Sequence, residues 1–243
     1  MLSIFQKKFF LADLLGGFTD FHNHLLPGID DGAISVEDSI AMIQKFNEYG
    51  VTNFVASPHV MGEFYQNTPE TIFPALEKVK KALPKGNSIK AAGEYMMDLY
   101  LIEQLEKNKV LPVTSNYVLV EMSYFQAPIN LTEILFKIQN SNLRPILAHP
   151  ERYAFYHDSN FSKYKDLKER GCDFQLNMLS LSSHYGSSIQ RKAFQLFENG
   201  MIDFISSDAH RMEHLEKIGN IKLNKKQVSA LEPIIEKSKA LFQ

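Results

Sequence analysis

What the chain lacks narrows it first. It has one cysteine in 243 residues, Cys172, which rules out an internal disulfide and suits a reducing cytosol. No stretch approaches the ~18 consecutive apolar residues of a membrane-spanning helix. The opening residues mix Phe and Leu with Lys7, Lys8 and Asp13, without the apolar core and small-residue cleavage site of a signal peptide. A cytoplasmic protein is therefore expected. Neither sign of charge dominates: 26 Lys and Arg against 28 Asp and Glu leave a net charge of -2, so nucleic acid and anionic membranes are not expected partners. No Gly/Ser-rich linker or break in composition divides the chain, which reads as one domain over 1–243. There is no G-x-x-x-x-G-K phosphate loop, G-x-S-x-G elbow or dinucleotide fingerprint. Cys172 also fails as a thiol-phosphatase nucleophile, because the position six residues on, where such enzymes need arginine, is Met178. It opens an apolar run and reads as a core residue.

What is present is an alternation of short apolar runs and amphipathic ones. Strands are expected over 17–22, 53–57, 89–93, 117–120, 145–148, 173–176 and 204–206. Helices are expected over 36–49, 69–83, 99–107, 131–141, 161–170, 188–199 and 225–241, the second bent or restarted at Pro74. Ser35 and Asp38 have the spacing of a capping box, and Gly50 stops the first helix. A further short amphipathic helix over 4–15 is expected to dock on the body as an N-terminal extension. Strands that alternate with helices imply a parallel sheet with crossovers. The expected fold is α/β, a distorted seven-stranded (β/α)7 barrel, with an open doubly wound sheet as the alternative.

The chemistry-bearing residues sort to one place in this pattern. The first strand runs into Asp20-Phe21-His22-Asn23-His24, then into the turn-rich Leu26-Pro27-Gly28-Ile29-Asp30-Asp31-Gly32. Histidines at i and i+2 of an extended chain point to the same side, so His22 and His24 can share an ion. His59, Glu94, Glu121, His149, Asp208 and His210 each end a later strand. Barrel active sites are assembled from the carboxyl ends of several strands. Five of the eight histidines fall there, which makes a chance scatter a poor explanation. Glu121 closes the apolar run Val118-Leu119-Val120, where a buried charge needs a partner or an ion. Asp31 joins as a ligand, although Asp30-Asp31-Gly32 is also good turn chemistry and Asp30 remains an alternative. Imidazoles with carboxylates suit Mn, Fe or Zn, and a thiolate-rich structural zinc cluster is excluded.

Arg152, in His149-Pro150-Glu151-Arg152, stands three residues past a ligand-type histidine and can clamp a phosphate bidentately. Arg211, next to His210, is a second candidate. Tyr124, Phe125, Tyr153, Phe155 and Tyr156 crowd the loops after two of the strands, as packing residues or as a rim for an aromatic substrate.

Taken together these residues resemble the polymerase and histidinol phosphatase (PHP) superfamily, most of all its bacterial manganese-dependent protein tyrosine phosphatases of capsule and exopolysaccharide synthesis. The markers are Asp20 to His24, Leu26 to Gly32, Ser57-Pro58-His59, Ala92-Gly93-Glu94, Val120 to Ser123, Ala148 to Arg152 and Ser207-Asp208-Ala209-His210. The resemblance implies up to three ions, with Mn expected. His22, His24, Glu94 and Asp208 would hold one, Glu94, Glu121 and His149 a second, and Asp31, His59 and His210 a third. It further implies hydrolysis of phosphotyrosine by a metal-bound hydroxide, on the tyrosine-rich tail of a bacterial tyrosine kinase. One departure stands out. Relatives often carry an arginine-proline pair after the D-x-H motif, where this chain has Arg211-Met212-Glu213, which leaves Arg211 to supply a second phosphate contact. The alternatives are a small-molecule phosphatase such as histidinol phosphatase, and a non-catalytic regulator that binds a tyrosine-rich tail.

Overall fold

Short apolar runs bounded by turn residues make strands, and runs with an apolar residue at every third or fourth position make helices. The two alternate through residues 8–158 and 160–242, the part of the chain that the computed structural model describes. The first elements are β1 (Phe9–Phe10), β2 (Thr19–Asp20), α1 (Val36–Glu48), β3 (Asn53–Ala56) and β4 (His59–Val60). Then come α2 (Pro69–Ala82), β5 (Ser88–Ala91), β6 (Glu94–Met96), α3 (Leu99–Glu106) and β7 (Tyr117–Glu121). Next are α4 (Leu131–Asn140), β8 (Arg144–Ala148), α5 (Ser162–Glu169), β9 (Asp173–Asn177) and α6 (Ser187–Glu198). The chain ends with β10 (Phe204–Ser206), α7 (Met212–Gly219), β11 (Lys222–Leu223) and α8 (Lys225–Ala240).

The fold is α/β, built on parallel sheets. Six strands pair in the order β10-β9-β8-β7-β6-β4, and three in the order β2-β3-β5. The two sheets share a register. Ala56 faces Ala91 in one and His59 faces Glu94 in the other, the same offset of 35 residues (91 − 56 and 94 − 59). Ser57-Pro58 and Ala92-Gly93 interrupt the two runs without shifting them. The peptide N–H of Glu94 still donates to the carbonyl of Pro58 at 2.9 Å. At the other side Asn23 forms a parallel bridge with Ala209, and the N–H of Asp208 donates to the His22 carbonyl at 2.7 Å.

Apolar side chains fill both faces of the sheets. The larger core lies under the helices and includes Phe46, Phe54, Leu76, Tyr164, Phe174 and Leu196. A smaller one, Phe21, Val55, Leu119, Ile146, Ala148 and Phe204, sits on the other face and forms a floor. Glu121 shares a face with Leu119 by the two-residue strand period, so it stands above that floor. Ser35 and Asp38 form the expected capping box, each accepting at 3.1 Å from the other's backbone N–H. Helix α2 runs through Pro74, which falls within its second turn. No helix among the described residues is long and apolar enough to cross a membrane.

The N-terminal expectation needs correction. Residues 4–7 lie outside the described part, Phe9–Phe10 form a strand, and Leu11–Leu14 make one 3-10 turn rather than a helix. The reason is long-range: Phe9 and Phe10 pair antiparallel with Leu223 and Lys222, a partner of two residues that leaves no periodic trace. Helix α7 is a finding of the structure alone, and it buries His214, Leu215 and Ile218.

Candidate metal centre

The strand ends deliver the ligand-type side chains to one spot. Between His22 and His24, Asn23 points away and donates to the carbonyls of Asp20 and Val55, at 3.0 and 3.3 Å. The flanking imidazoles therefore face the other way, with ring centres 5.6 Å apart. Glu94 is the hub. One of its oxygens lies 3.0 Å from His22 Nε2 and 3.2 Å from His149 Nε2. The other lies 3.5 Å from His24 Nε2 and 3.0 Å from His59 Nδ1. Asp208 Oδ1 is 3.2 and 3.3 Å from the Nε2 atoms of His22 and His24. Glu121 stands 2.8 Å from His59 Nδ1 and 3.9 Å from His149 Nε2. Asp31 Oδ1 is 3.5 Å from His59 Nε2 and 3.4 Å from His210 Nε2.

Three groups here have donor atoms within 4.8 Å of one another: His22, His24, Glu94 and Asp208; His59, Glu94 and Glu121; and His24, Asp31, His59 and His210. Eight of the nine expected ligands fall in these groups; His149 is in none of them and joins the cluster through Glu94, 3.2 Å away. His59 belongs to two groups, one through each ring nitrogen. A test of fit comes from unsatisfied atoms. His22 Nε2, His24 Nε2, His59 Nδ1, Glu94 Oε2 and Glu121 Oε1 are buried and make no hydrogen bond of acceptable geometry. Each such atom costs about 1–3 kcal/mol, and five converging ones fit divalent cations. Burial opposes charge on Glu94 and Asp208, yet the neighbouring imidazoles hold both carboxyls well below their usual range. Burial likewise opposes charge on His24, and the Asp30 and Asp208 carboxylates together outweigh it, raising its pKa to about 9.

A second layer aims these groups, and sequence reasoning did not find it. His22 Nδ1 meets Gln175 Oε1 at 2.8 Å, and His24 Nδ1 meets Asp30 Oδ2 at 2.7 Å. Such partners fix the ring so that Nε2 faces the ions. Asp30 also accepts from the backbone N–H of His59 and of Gly32, at 3.1 and 3.0 Å. Of the two aspartates, Asp30 is the buried support and Asp31 faces the histidines. Asp20 is buried and accepts from the hydroxyls of Ser206 and Ser207, at 2.6 and 2.7 Å, tying β2 to the end of β10. The only sequence signal for these residues is closeness to the motifs. His149 and Asp208 adopt left-handed φ of 37° and 52°, a strain characteristic of functional positions.

A cavity of about 710 Å³ opens over the cluster, lined by Asp31, His59, Glu121, His149, Arg152, Asp208 and His210 among others. Arg152 donates to Asp208 Oδ2 at 2.8 Å and lies between the rings of Tyr124 and Tyr185, 4.7 and 4.2 Å from their centres. Asn177 donates to the same Asp208 oxygen at 2.7 Å and to the Tyr185 hydroxyl at 3.2 Å. Arg211 does not line the cavity; it is exposed and its Nε donates to His214 at 3.1 Å. Tyr153 and Tyr156 are buried packing residues, whereas Tyr124 and Phe125 are exposed on the cavity wall. Cys172 is buried, and burial pushes its thiol up to about 12, in line with a core role.

The family model for capsular polysaccharide synthesis proteins, CpsB/CapC, matches residues 18–226. The chain belongs to the CpsB/CapC family. The tyrosine-protein phosphatase YwqE of Bacillus subtilis is 30% identical over 203 residues, covering 80% of this chain and 78% of that protein. The tyrosine-protein phosphatase CpsB of Streptococcus pneumoniae is 25% identical over 203 residues, covering 80% and 83%. Among solved structures, a chain described with YwqE and CpsB as unique metal-dependent tyrosine phosphatases matches with a TM-score of 0.79 at 26% identity, covering 92% of this chain and 93% of its own. A phosphotriesterase homology protein from Escherichia coli matches at 0.56 with 13% identity, covering 93% and 99%, a likeness of fold alone. The membership bears out the resemblance read from the motifs of this CpsB/CapC chain.

Proposed function

We propose that this chain is a metal-dependent phosphatase that hydrolyses phosphotyrosine in a protein of capsule or exopolysaccharide synthesis. The observation that carries the reading is the convergence of nine imidazole and carboxylate side chains in one cluster, six of which line a cavity together with Arg152. The names of the relatives, all tyrosine phosphatases, favour this substrate over histidinol phosphate and favour turnover over mere binding.

Three ions are proposed, with Mn preferred and Fe or Zn as substitutes. His22, His24, Glu94 and Asp208 would hold the first, Glu94, Glu121 and His149 the second, and Asp31, His59 and His210 the third. His59 Nδ1, turned toward Glu94 and Glu121, supports sharing between the last two. When bound, such ions lower the pKa of water toward neutrality and polarise phosphoryl oxygens. Arg152 is already held by Asp208 and lies close to the rings of Tyr124 and Tyr185, so its guanidinium is oriented before a phosphate arrives and would offset charge on the equatorial oxygens. Arg211 is turned onto His214 and is left out of this role. A phenolate leaves readily, which lessens the need for a general acid.

The scaffold is read as a distorted seven-stranded barrel in a single domain. Two features support it: the continuous 35-residue offset across 53–60 and 88–95, and the Asn23–Ala209 bridge between the segments that follow β2 and β10. The lone buried thiol supports action in the cytoplasm, and the tyrosine-rich tail of a bacterial tyrosine kinase is the proposed partner.

The test is turnover of a phosphotyrosine peptide before and after chelation, with metal content measured. Activity is expected to vanish with the ions and return with Mn. His22→Ala is expected to lose both metal and activity, and Arg152→Ala to keep metal while kcat/KM falls about 10²–10³-fold. Undiminished hydrolysis after verified metal removal would sink the mechanism, and a strong preference for histidinol phosphate would displace the substrate.

A further inference from the structure

The proposed chemistry uses only the inner part of the cavity. Its outer wall is apolar, built from Met61, Phe64, Met96 and Phe125. Phe64 is 74% exposed and Phe125 92%. Among the described residues nine large hydrophobics are exposed, and six of them, Ile34, Phe64, Leu99, Tyr124, Phe125 and Ile129, follow a strand at the face that carries the metal centre. The other three, Phe10, Phe73 and Phe136, lie on β1 and on two helices. A wet apolar wall gathered beside a charged centre marks a surface that a bound partner covers.

We infer that this wall reads an apolar side chain, aromatic or branched aliphatic, close in sequence to the phosphotyrosine of the substrate polypeptide. The inference rests on the phosphatase reading above. The wall is continuous with the reaction site. Tyr65 stacks on His59 with ring centres 5.8 Å apart and is followed outward by Phe64, while Tyr124 lies over Arg152 and is followed by Phe125. The cavity volume of about 710 Å³ matches a drug-sized ligand, more than one phosphorylated ring. Charge narrows the occupant further. Among the described residues Arg152 is the only Lys or Arg on the lining, and the outer wall also carries Glu63 and Asp98. Asp98 is held by the N–H groups of Gly62 and Leu101, at 2.9 and 3.0 Å, which links the loop that bears Phe64 to the start of α3, where Leu99 lies. An acidic neighbour of the phosphotyrosine would meet these carboxylates, and an apolar one would meet two phenyl rings. Met61 and Met96 are unbranched and repack easily, so the wall tolerates several apolar shapes.

The experiment compares three phosphotyrosine peptides that differ only in carrying Phe, Gly or Glu beside the phosphotyrosine. Para-nitrophenyl phosphate serves as a substrate with no neighbours. Each is assayed on the Mn-loaded protein and on a Phe64→Ser, Phe125→Ser double variant, both sites being exposed enough to spare the fold. The Phe peptide is expected to exceed the Gly peptide about tenfold in kcat/KM, mainly through KM, with the Glu peptide last. The double variant is expected to level Phe and Gly while para-nitrophenyl phosphate turnover stays within about twofold. Equal kcat/KM for Phe and Gly on the parent protein, or a preference that survives in the double variant, would overturn the inference. So would a proportional loss on every substrate. If the Mn-loaded protein turns over neither the peptides nor para-nitrophenyl phosphate, the phosphatase reading itself fails and takes this one with it.

Discussion

Asp30 and Asp31 are adjacent, chemically identical and differently employed. Asp31 presents its carboxylate to His59 and His210, while Asp30 is buried and grips His24 from behind. Replacing Asp30 by Asn keeps the shape and removes the charge that orients His24. Metal affinity is expected to fall about 10–100-fold, read by Mn titration of chelated protein. Unchanged affinity would mean that the contact is incidental. Gly32 belongs to the same turn. A Cβ at this position would lie 2.3 Å from the His24 carbonyl oxygen and 2.4 Å from the His24 Cβ, so Gly32→Ala is expected to displace His24 and to lower metal content in the purified protein. The motif residues were legible in sequence because ligand types recur at strand ends. Gln175, Asn177, Tyr185 and Asp20 were not, because a supporting amide, phenol or buried carboxylate looks like any other until the fold sets its neighbour. Arg211 shows the converse: it stood beside a ligand in sequence, and the start of α7 turned it toward His214.

At the scale of elements, what could be read was what is periodic. Helix α1 announced itself by spacing and a capping box, whereas β1, β11 and α7 depend on partners far along the chain. Asp203, just before β10, illustrates how such elements are held. It accepts from the Phe174 N–H at 2.9 Å and from Lys237 at 2.8 Å, and it pairs with Lys168, so it joins β9, α5 and α8. Burial alone would raise its pKa; the two ammonium groups and the N–H outweigh that and lower it. A carboxyl with a depressed folded-state pKa adds stability above its unfolded value near 3.8, and loses it as pH falls through the folded value. Asp203→Asn is therefore expected to lower the urea midpoint at pH 6, with the gap to the parent narrowing below about pH 3.8. A gap that holds steady between pH 6 and pH 3 would rule out this account.

Over the whole molecule the fold and the candidate ion site are one construction, since β2, β4, β6, β7, β8, β9 and β10 each carry, or end beside, a ligand-type residue or one that supports it. Ions bound only by the folded chain should therefore stabilise it. At a free ion concentration about a hundredfold above Kd one site adds about 2.7 kcal/mol, so chelation is expected to lower Tm by roughly 5–10 °C. A scan of chelated and Mn-loaded protein checks this, and superimposable melts would argue against folded-state binding. The bond between the end of β2 and β10 has a consequence for the making of the protein. The backbone of His22 reaches Ser206 across 184 positions of sequence. A ribosome adding about 5–20 residues per second needs roughly 10–40 s to bring the second partner out after the first. During that interval the leading histidines hang in the cell without the carboxylate that completes their set. Ion capture by the full set thus waits for finished synthesis, and a chain stopped at Asp203 is expected to emerge unable to retain Mn through gel filtration.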